Sequence, residues 1–549
     1  MQADLVLVNG QVHTMDAAHP RAQAVAVAGN RILAVGNDAD IRLLLRPGGE
    51  VVDLRGQAVI PGLIDAHVHF GWFCIDVYQH RVDLDGVPTK AEALARVAEA
   101  VRVTPPGQWI QGSGWSKNIW PADLTAAFCS DEGAFPTAAD LDIVAPGHPV
   151  ALEDKSHHAT WANSRAMEIA GISAATEDPP GGQILRDGLG QPTGIFLETA
   201  GPLVHQAIPQ PTLDTGVAAL RQGIAYAHRL GLTGFHDPGH PMVLAALQVL
   251  RSQAELGLRA LVHIPVDGLG SATTMGIRSG LGDEYVRIGG VKIFADGALG
   301  PRTAHMLTPY ETGNTAEAVL RNTGIPTLAA DELRDLVHRA HQAGLSVTVH
   351  AIGDAANRAA LDAIDASRLT LHTLRPALPD RIEHVQLLHP DDLPRLAQLG
   401  VVASMQPIHA TSDMDMAERH WGRRCDLAYA WRSVLETGAR LAFGSDCPVE
   451  TLDPLAGIHA AVTRRRVDGR PGADGWVPAQ RLTIAQAVHA YTLGAAYASG
   501  EARIKGSLTP GKLADLAVLS HDIFDIDPME ILDTRVKMTV FDGRIVHRA

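Results

Sequence analysis

Residues 59–70 read VIPGLIDAHVHF: an apolar run, punctuated by Pro61-Gly62, that ends in two histidines one residue apart. In extended backbone side chains alternate, so His67 and His69 point to the same face at the C-terminal end of a strand. Two neutral imidazoles at that spacing can ligate one divalent metal. Working outward, short β-branched or apolar runs recur at 232–237, 259–266, 289–296, 345–351, 381–386, 401–406 and 440–446. Helical patterns at 213–230, 242–256, 331–343 and 425–437 lie between them. Eight strands alternating with helices predict an α/β fold of the (β/α)8, TIM-like barrel type, whose active residues sit at the C-terminal strand ends.

Three more ligand-type residues end three later runs. LSVTVHAIGD carries His350, DRIEHVQ carries His384 and RLAFGSDCP carries Asp446. Singly, each fits a core histidine or a capping aspartate. Together, five such groups at strand ends would be poorly compensated in a barrel mouth without a cation, so the pattern predicts a metal site. Lys292, within GGVKIFADG, is costly to bury as an ammonium. It either reaches outward or pairs with Asp296, or its desolvated amine reacts with CO2. The resulting carbamate is a carboxylate-like ligand able to bridge two metals.

Both ends of the chain read as one small β domain, with the remainder inserted between them. ADLVLVNGQVHTM and AVAVAGNRILAVG near the start, and ADLAVLSHDIF and VKMTVFDGRIVHR near the end, alternate β-rich runs with turn pairs such as Asn9-Gly10 and Asp542-Gly543. The expected organisation is residues 1–58 as the N-terminal part of a β-sandwich and 59–70 as the first barrel strand. Residues 71–212 then form an inserted subdomain, 213–480 the rest of the barrel, and 481–549 a last helical segment with the C-terminal part of the sandwich. The insertion is too long for a plain loop, and it holds five of the chain's 8 tryptophans. These either build its own core or wall a pocket. On the second reading the insertion is a lid over the barrel mouth, with Trp115, Trp161 and His158 touching a small substrate.

Composition narrows the partners. A net charge of −15 argues against nucleic acid and anionic membranes, and no apolar run approaches a membrane span. Cys74, Cys129, Cys425 and Cys447 are scattered, which suits a reducing compartment. The opening MQADLVLVNG carries Asp4 where a secretory leader wants a basic residue. Cytoplasmic location and a small-molecule substrate are therefore expected, with homo-oligomer assembly left open.

His67-Val68-His69, Lys292, His350, His384 and Asp446, in that order, resemble the ligand set of the amidohydrolase superfamily over essentially the whole chain. The stretches HHATWANSRAM (157–167), VKIFADGALGPRTA (291–304), VHAIGDAANRAALDAI (349–364), RIEHVQ (381–386) and FGSDCPVETLDPL (443–455) resemble the branch containing N-substituted formamide deformylase. The resemblance implies a metal-bearing barrel beside a β-sandwich made from both termini. It implies two divalent ions, zinc foremost, bridged by carboxylated Lys292 and ligated by the residues named. Asp446 would serve as general base and then acid, and His384 as ligand and carbonyl-orienting group. His158, Asp296 and Arg302 match branch motif positions, with Arg302 placed to bind a carboxylate or an oxyanion, or merely to hold its loop with Asp296. The activity implied is hydrolysis of a non-peptide C–N bond, with an N-substituted formamide or N-acyl amine as substrate. Cyclic-amide hydrolysis and deamination on the same scaffold are the alternatives. Deamination wants a glutamate soon after the fifth-strand histidine, and here His350 is followed by Ala351-Ile352-Gly353-Asp354. A non-catalytic descendant would be expected to have lost a ligand, and none is missing.

Overall fold

The computed structural model describes residues 2–79, 81–120, 135–311, 322–371 and 375–549. Cys129 lies outside them, whereas Cys74, Cys425 and Cys447 are free and buried. Eight strands form one sheet in sequential order: Leu63–Asp65, Leu232–Asp237, Arg259–Pro265, Val286–Phe294, Val347–Ala351, Arg381–His384, Val402–Met405 and Arg440–Phe443. Every neighbouring pair is parallel. Past the ends of the first and eighth strands, Ala66 N donates to Phe443 O at 2.9 Å and Asp446 N to His67 O at 2.7 Å, so the barrel is nearly closed. The strands read as continuous apolar runs because both their faces are covered, as parallel sheets require. Helices such as Leu213–Arg229, Ala330–Gln342 and Asp354–Thr370 supply the outer layer.

The first strand departs from its expected extent. Ala58–Pro61 pairs with Leu516–Leu519 and with Gln11–His13, in a different sheet. Only Leu63–Asp65 pairs with the second barrel strand. Gly62 is the parting point, where a Cβ would collide with the Thr233 side chain. Residues 66–69 have already left strand geometry, and the helix Phe70–Gln79 begins the segment expected to be insertion. That helix packs on Leu213–Arg229, with Cys74 against Gly223 at a spot where any side chain would clash.

The sheet holding Ala58–Pro61 has six strands and draws on both ends of the chain, with Leu516–Leu519, Val536–Phe541 and Arg544–Arg548 on one side and Gln11–His13 and Arg21–Ala22 on the other. A four-stranded sheet from residues 3–53 shares an apolar core with it, including Leu5, Val25, Val59, Leu516 and Val540. Residues 82–198 contribute a third, six-stranded sheet. No helix among the described residues is long and apolar enough to cross a membrane.

Trp115, Trp120 and Trp161 form the core of that third sheet, with ring centroids 6.0–6.3 Å apart. Their indole N–H groups donate to Leu152 O, Val87 O and Thr137 O at 2.9, 3.0 and 2.8 Å. Trp115 and Trp161 are thus structural, in place of the substrate contacts expected of them: each N–H is already used by backbone, and each ring is covered on all sides. Trp161→Phe should lower stability by about 1–3 kcal/mol through lost packing and an orphaned carbonyl. A shift in the denaturant midpoint without a selective change in KM would show it.

Candidate metal centre

Strand ends bring the ligand-type residues to one place. His384 and Asp446 both take left-handed backbone, with φ of 74° and 61°, an uncommon state for residues with a side chain. In a regular strand His384 would point away from Glu383; the left-handed turn brings its ring back among the other ligands. His67, His384 and Asp446 each offer one ligand atom, and these three atoms lie within 4.8 Å of one another. His67 Nε2, His384 Nδ1 and Asp446 Oδ1 are buried with no hydrogen-bond partner among the described residues. Two nitrogen lone pairs and a carboxylate oxygen left bare at one point are costly unless a cation takes them. The donor set therefore fits a divalent metal.

Neighbouring groups fix the tautomers. His67 Nδ1 stands 2.8 Å from Glu383 Oε2, and a carboxylate only accepts, so in the neutral ring Nε2 keeps its lone pair. Burial opposes a charged His67, but Glu383 and Asp446 together outweigh it and raise the ring's pKa above the ordinary imidazole value. Glu383 is itself wholly buried and takes Arg381 Nε at 2.6 Å. His350 Nε2 donates to Gly297 O at 3.1 Å, while burial holds the ring well below the usual imidazole range and therefore neutral. Its Nδ1 is left as the donor atom. His69 Nε2 lies 3.4 Å from Asp446 Oδ1, with the ring stacked on Trp72 at 4.4 Å. Lys292 is buried with its Nζ over the Phe294 ring at 4.6 Å, and desolvation brings its pKa down to about 8.

All six ligand candidates open into one cavity of about 450 Å³. His158 lines it too, its Nδ1 2.6 Å from Glu198 Oε2. Although burial disfavours the charged ring, Glu198 raises the His158 pKa to about 9. The insertion also contributes Asn118, Glu153, Lys155 and His157 to the wall, opposite Phe294, Leu299 and Val449 from the barrel. Asp296 and Arg302 do not line it. Asp296 accepts Ile352 N, Gly353 N and His305 N at 3.0, 2.8 and 2.8 Å, which commits its carboxylate to holding the loop. Arg302 is half-buried in that same loop, its backbone carbonyl accepting from Asn322 Nδ2 at 3.2 Å. The Asp296 carboxylate thus takes the loop-holding role, and Arg302 stands away from the cavity wall.

Four further groups belong to the site and escape the sequence reading. Glu383 orients His67. Asp65 accepts His67 N at 3.1 Å and Ser445 Oγ at 2.5 Å, tying the first strand to the segment that carries Asp446. His409, from the helix Pro407–Trp421, places Nε2 3.2 Å from Asp446 Oδ2, and Glu450 lies beyond it. Pro at the first helical position before a recurring apolar pattern was the available signal for that helix.

The sequence profile of the amidohydrolase family matches residues 50–547, a span that contains every ligand candidate. The chain belongs to the amidohydrolase family. This amidohydrolase is 34% identical over 544 residues to Protein LONG AFTER FAR-RED 3 of Arabidopsis thaliana, covering 95% of this chain and 88% of that protein. It is 31% identical over 559 residues to N-substituted formamide deformylase of Arthrobacter pascens, covering 98% and 97% respectively. An uncharacterized metal-dependent hydrolase from Pyrococcus horikoshii superposes with a TM-score of 0.74 at 26% identity, covering 95% of this chain and 99% of that one. The resemblance carried by His67-Val68-His69, Lys292, His350, His384 and Asp446 thus extends along the whole chain.

Proposed function

We propose that this amidohydrolase cleaves the non-peptide C–N bond of a small amide, an N-substituted formamide or N-acyl amine being the favoured substrate. The observation that carries the reading is the convergence of His67, His384 and Asp446 on the cavity, with His67 Nε2, His384 Nδ1 and Asp446 Oδ1 buried and without a hydrogen-bond partner among the described residues. His67, His69, His350, His384, Asp446 and a carboxylated Lys292 would hold two divalent ions, zinc in the first instance. Bound there, such ions supply Lewis acidity and make water a stronger acid. Desolvation of Lys292 supports the carbamate, because a neutral amine is the form that attacks CO2.

The chain's own residues then divide the work. Asp446 Oδ1 is the base that takes the proton from water and passes it to the leaving nitrogen. His158, held charged by Glu198, presents a cationic N–H toward charge developing on the carbonyl oxygen. Deamination finds no support near His350, since Asp354 Oδ1 already accepts Leu307 N at 2.8 Å. The resemblance to N-substituted formamide deformylase supports the amide class. The two terminal sheets, with a common apolar core, support reading them as a β-sandwich beside the barrel. The scattered cysteines support a cytoplasmic setting.

Amine release from N-substituted formamides, N-acyl amines and cyclic amides, measured with metal-loaded protein, tests the assignment. Turnover of acyclic amides is expected, and turnover confined to cyclic amides or to ring amino groups would contradict it. Within that assay Glu198→Gln should bring the alkaline limb of the pH–rate profile down from near 9 toward the ordinary histidine range. Removing the carboxylate removes what keeps His158 protonated. A limb that stays in place would take His158 out of the mechanism.

A further inference from the structure

Asp446 is held from two sides. Its Oδ1 faces His67 Nε2 at 3.2 Å and His69 Nε2 at 3.4 Å, while its Oδ2 is 3.2 Å from His409 Nε2. A carboxylate can swing about its own bonds, and pinning one oxygen decides which one meets the ligand cluster. His409 does the pinning, and its other nitrogen lies 3.8 Å from Glu450 Oε1. Glu450 Oε1 is buried without a hydrogen-bond partner among the described residues. The ammonium of Lys155 stands 3.5 Å from it.

Lys155 comes from the other side of the cavity. It belongs to the insertion, and there it is tied to Asp85 Oδ1 at 2.9 Å. Lys155, Glu450, His409 and Asp446 all line the same cavity, so the contact between insertion and barrel runs directly to the proposed base.

We propose that Lys155, Glu450 and His409 are positioning residues, forming a chain through which seating of the insertion on the barrel sets the orientation of Asp446. When the insertion is seated, Lys155 holds Glu450, Glu450 holds His409, and His409 leaves Oδ1 of Asp446 free for the metal site. When it is not, Glu450 loses its ammonium, and the Asp446 carboxylate loses its fixed rotamer. Misplacing a reacting group by about an ångström costs up to about 10²-fold in rate. The kinetic arm of this inference rests on the amide-hydrolase reading; its structural arm does not.

The test uses full-length, metal-loaded Lys155→Met, Glu450→Gln and His409→Leu, the double variant Lys155→Met/His409→Leu, Lys155→Arg, and Lys90→Met as control. Lys90 forms its ion pair with Asp140, inside the insertion and away from the cavity. The near-isosteric Glu450→Gln keeps the test open should another variant fold poorly. Each single change in the chain should lower kcat roughly 10- to 100-fold, with little change in KM and the metal content intact. Lys155→Arg should recover most of the loss, Lys90→Met should behave as wild type, and the double variant should be no slower than its worse parent. Hydrogen–deuterium exchange over residues 446–453, read without substrate, should rise in Lys155→Met and Glu450→Gln. Additive losses in the double variant, an effect on KM alone, or unchanged exchange over 446–453 would overturn the chain. If the wild type hydrolyses no amide, the functional reading fails, while the exchange measurement still decides for or against the chain.

Discussion

Asp446→Asn is expected to fold, to bind metal, and to lose most turnover. The substitution keeps the size of the side chain and its contact with His409, but an amide oxygen cannot accept and return a proton at neutral pH. Burial works against the charge of Asp446, yet the hydrogen bond from His409 and the proximity of His67 and His69 hold its pKa well below the usual carboxylate range. The wild-type side chain is thus ionised at neutral pH. Loss of general acid–base catalysis alone should cost roughly 10²–10⁴ in kcat, and weaker metal binding would add to that. The assay pairs kcat with elemental analysis. Full metal content with more than about a tenth of wild-type activity would place the proton transfer on another residue.

Arg381→Met should be the most destabilising change in the barrel interior. Arg381 is almost completely buried, and its guanidinium gathers four partners from across the barrel. Nε donates to Glu383 Oε1 at 2.6 Å and Nη2 to Ser404 Oγ at 2.7 Å; Nη1 lies 2.9 Å from His236 Nδ1, and Nη2 also reaches Ala66 O. Methionine fills much of the volume but leaves Glu383 buried with its main counter-charge gone. Breaking a buried pair from one side typically costs about 3–5 kcal/mol. Chemical denaturation should show a loss of that order. Metal affinity should fall with it, because Glu383 would no longer be held against His67 Nδ1. A change below about 1 kcal/mol would mean that water or a rearranged histidine replaces the guanidinium.

The histidine and aspartate ligand candidates were legible in the sequence because each closes an apolar run, and a polar group at the end of a buried strand has few structural uses. Glu383 was not, although it sits beside His384. Strand alternation puts neighbours on opposite faces, and only the left-handed backbone at His384 lets both serve one site. His409 escaped because the helix Pro407–Trp421 was not read as one. The tryptophans of the insertion show the limit of composition: aromatic residues suit a pocket wall and a subdomain core equally well. The N–H bonds of Trp115 and Trp161 to backbone carbonyls decide for the core. The first strand was read too long for a comparable reason. Its apolar run continues through Gly62, where the chain passes from one sheet to another without a change of composition.

Amide hydrolysis should depend on metal held by the cluster around His67, His384 and Asp446. That dependence is tested most directly by stripping the protein with a chelator, measuring amine release from an N-substituted formamide, and restoring divalent zinc in steps with metal content read by elemental analysis. Background activity is expected in the stripped protein, with recovery that saturates near two ions per chain and Lys292→Ala falling short of that stoichiometry. Undiminished activity after complete removal of metal would contradict it.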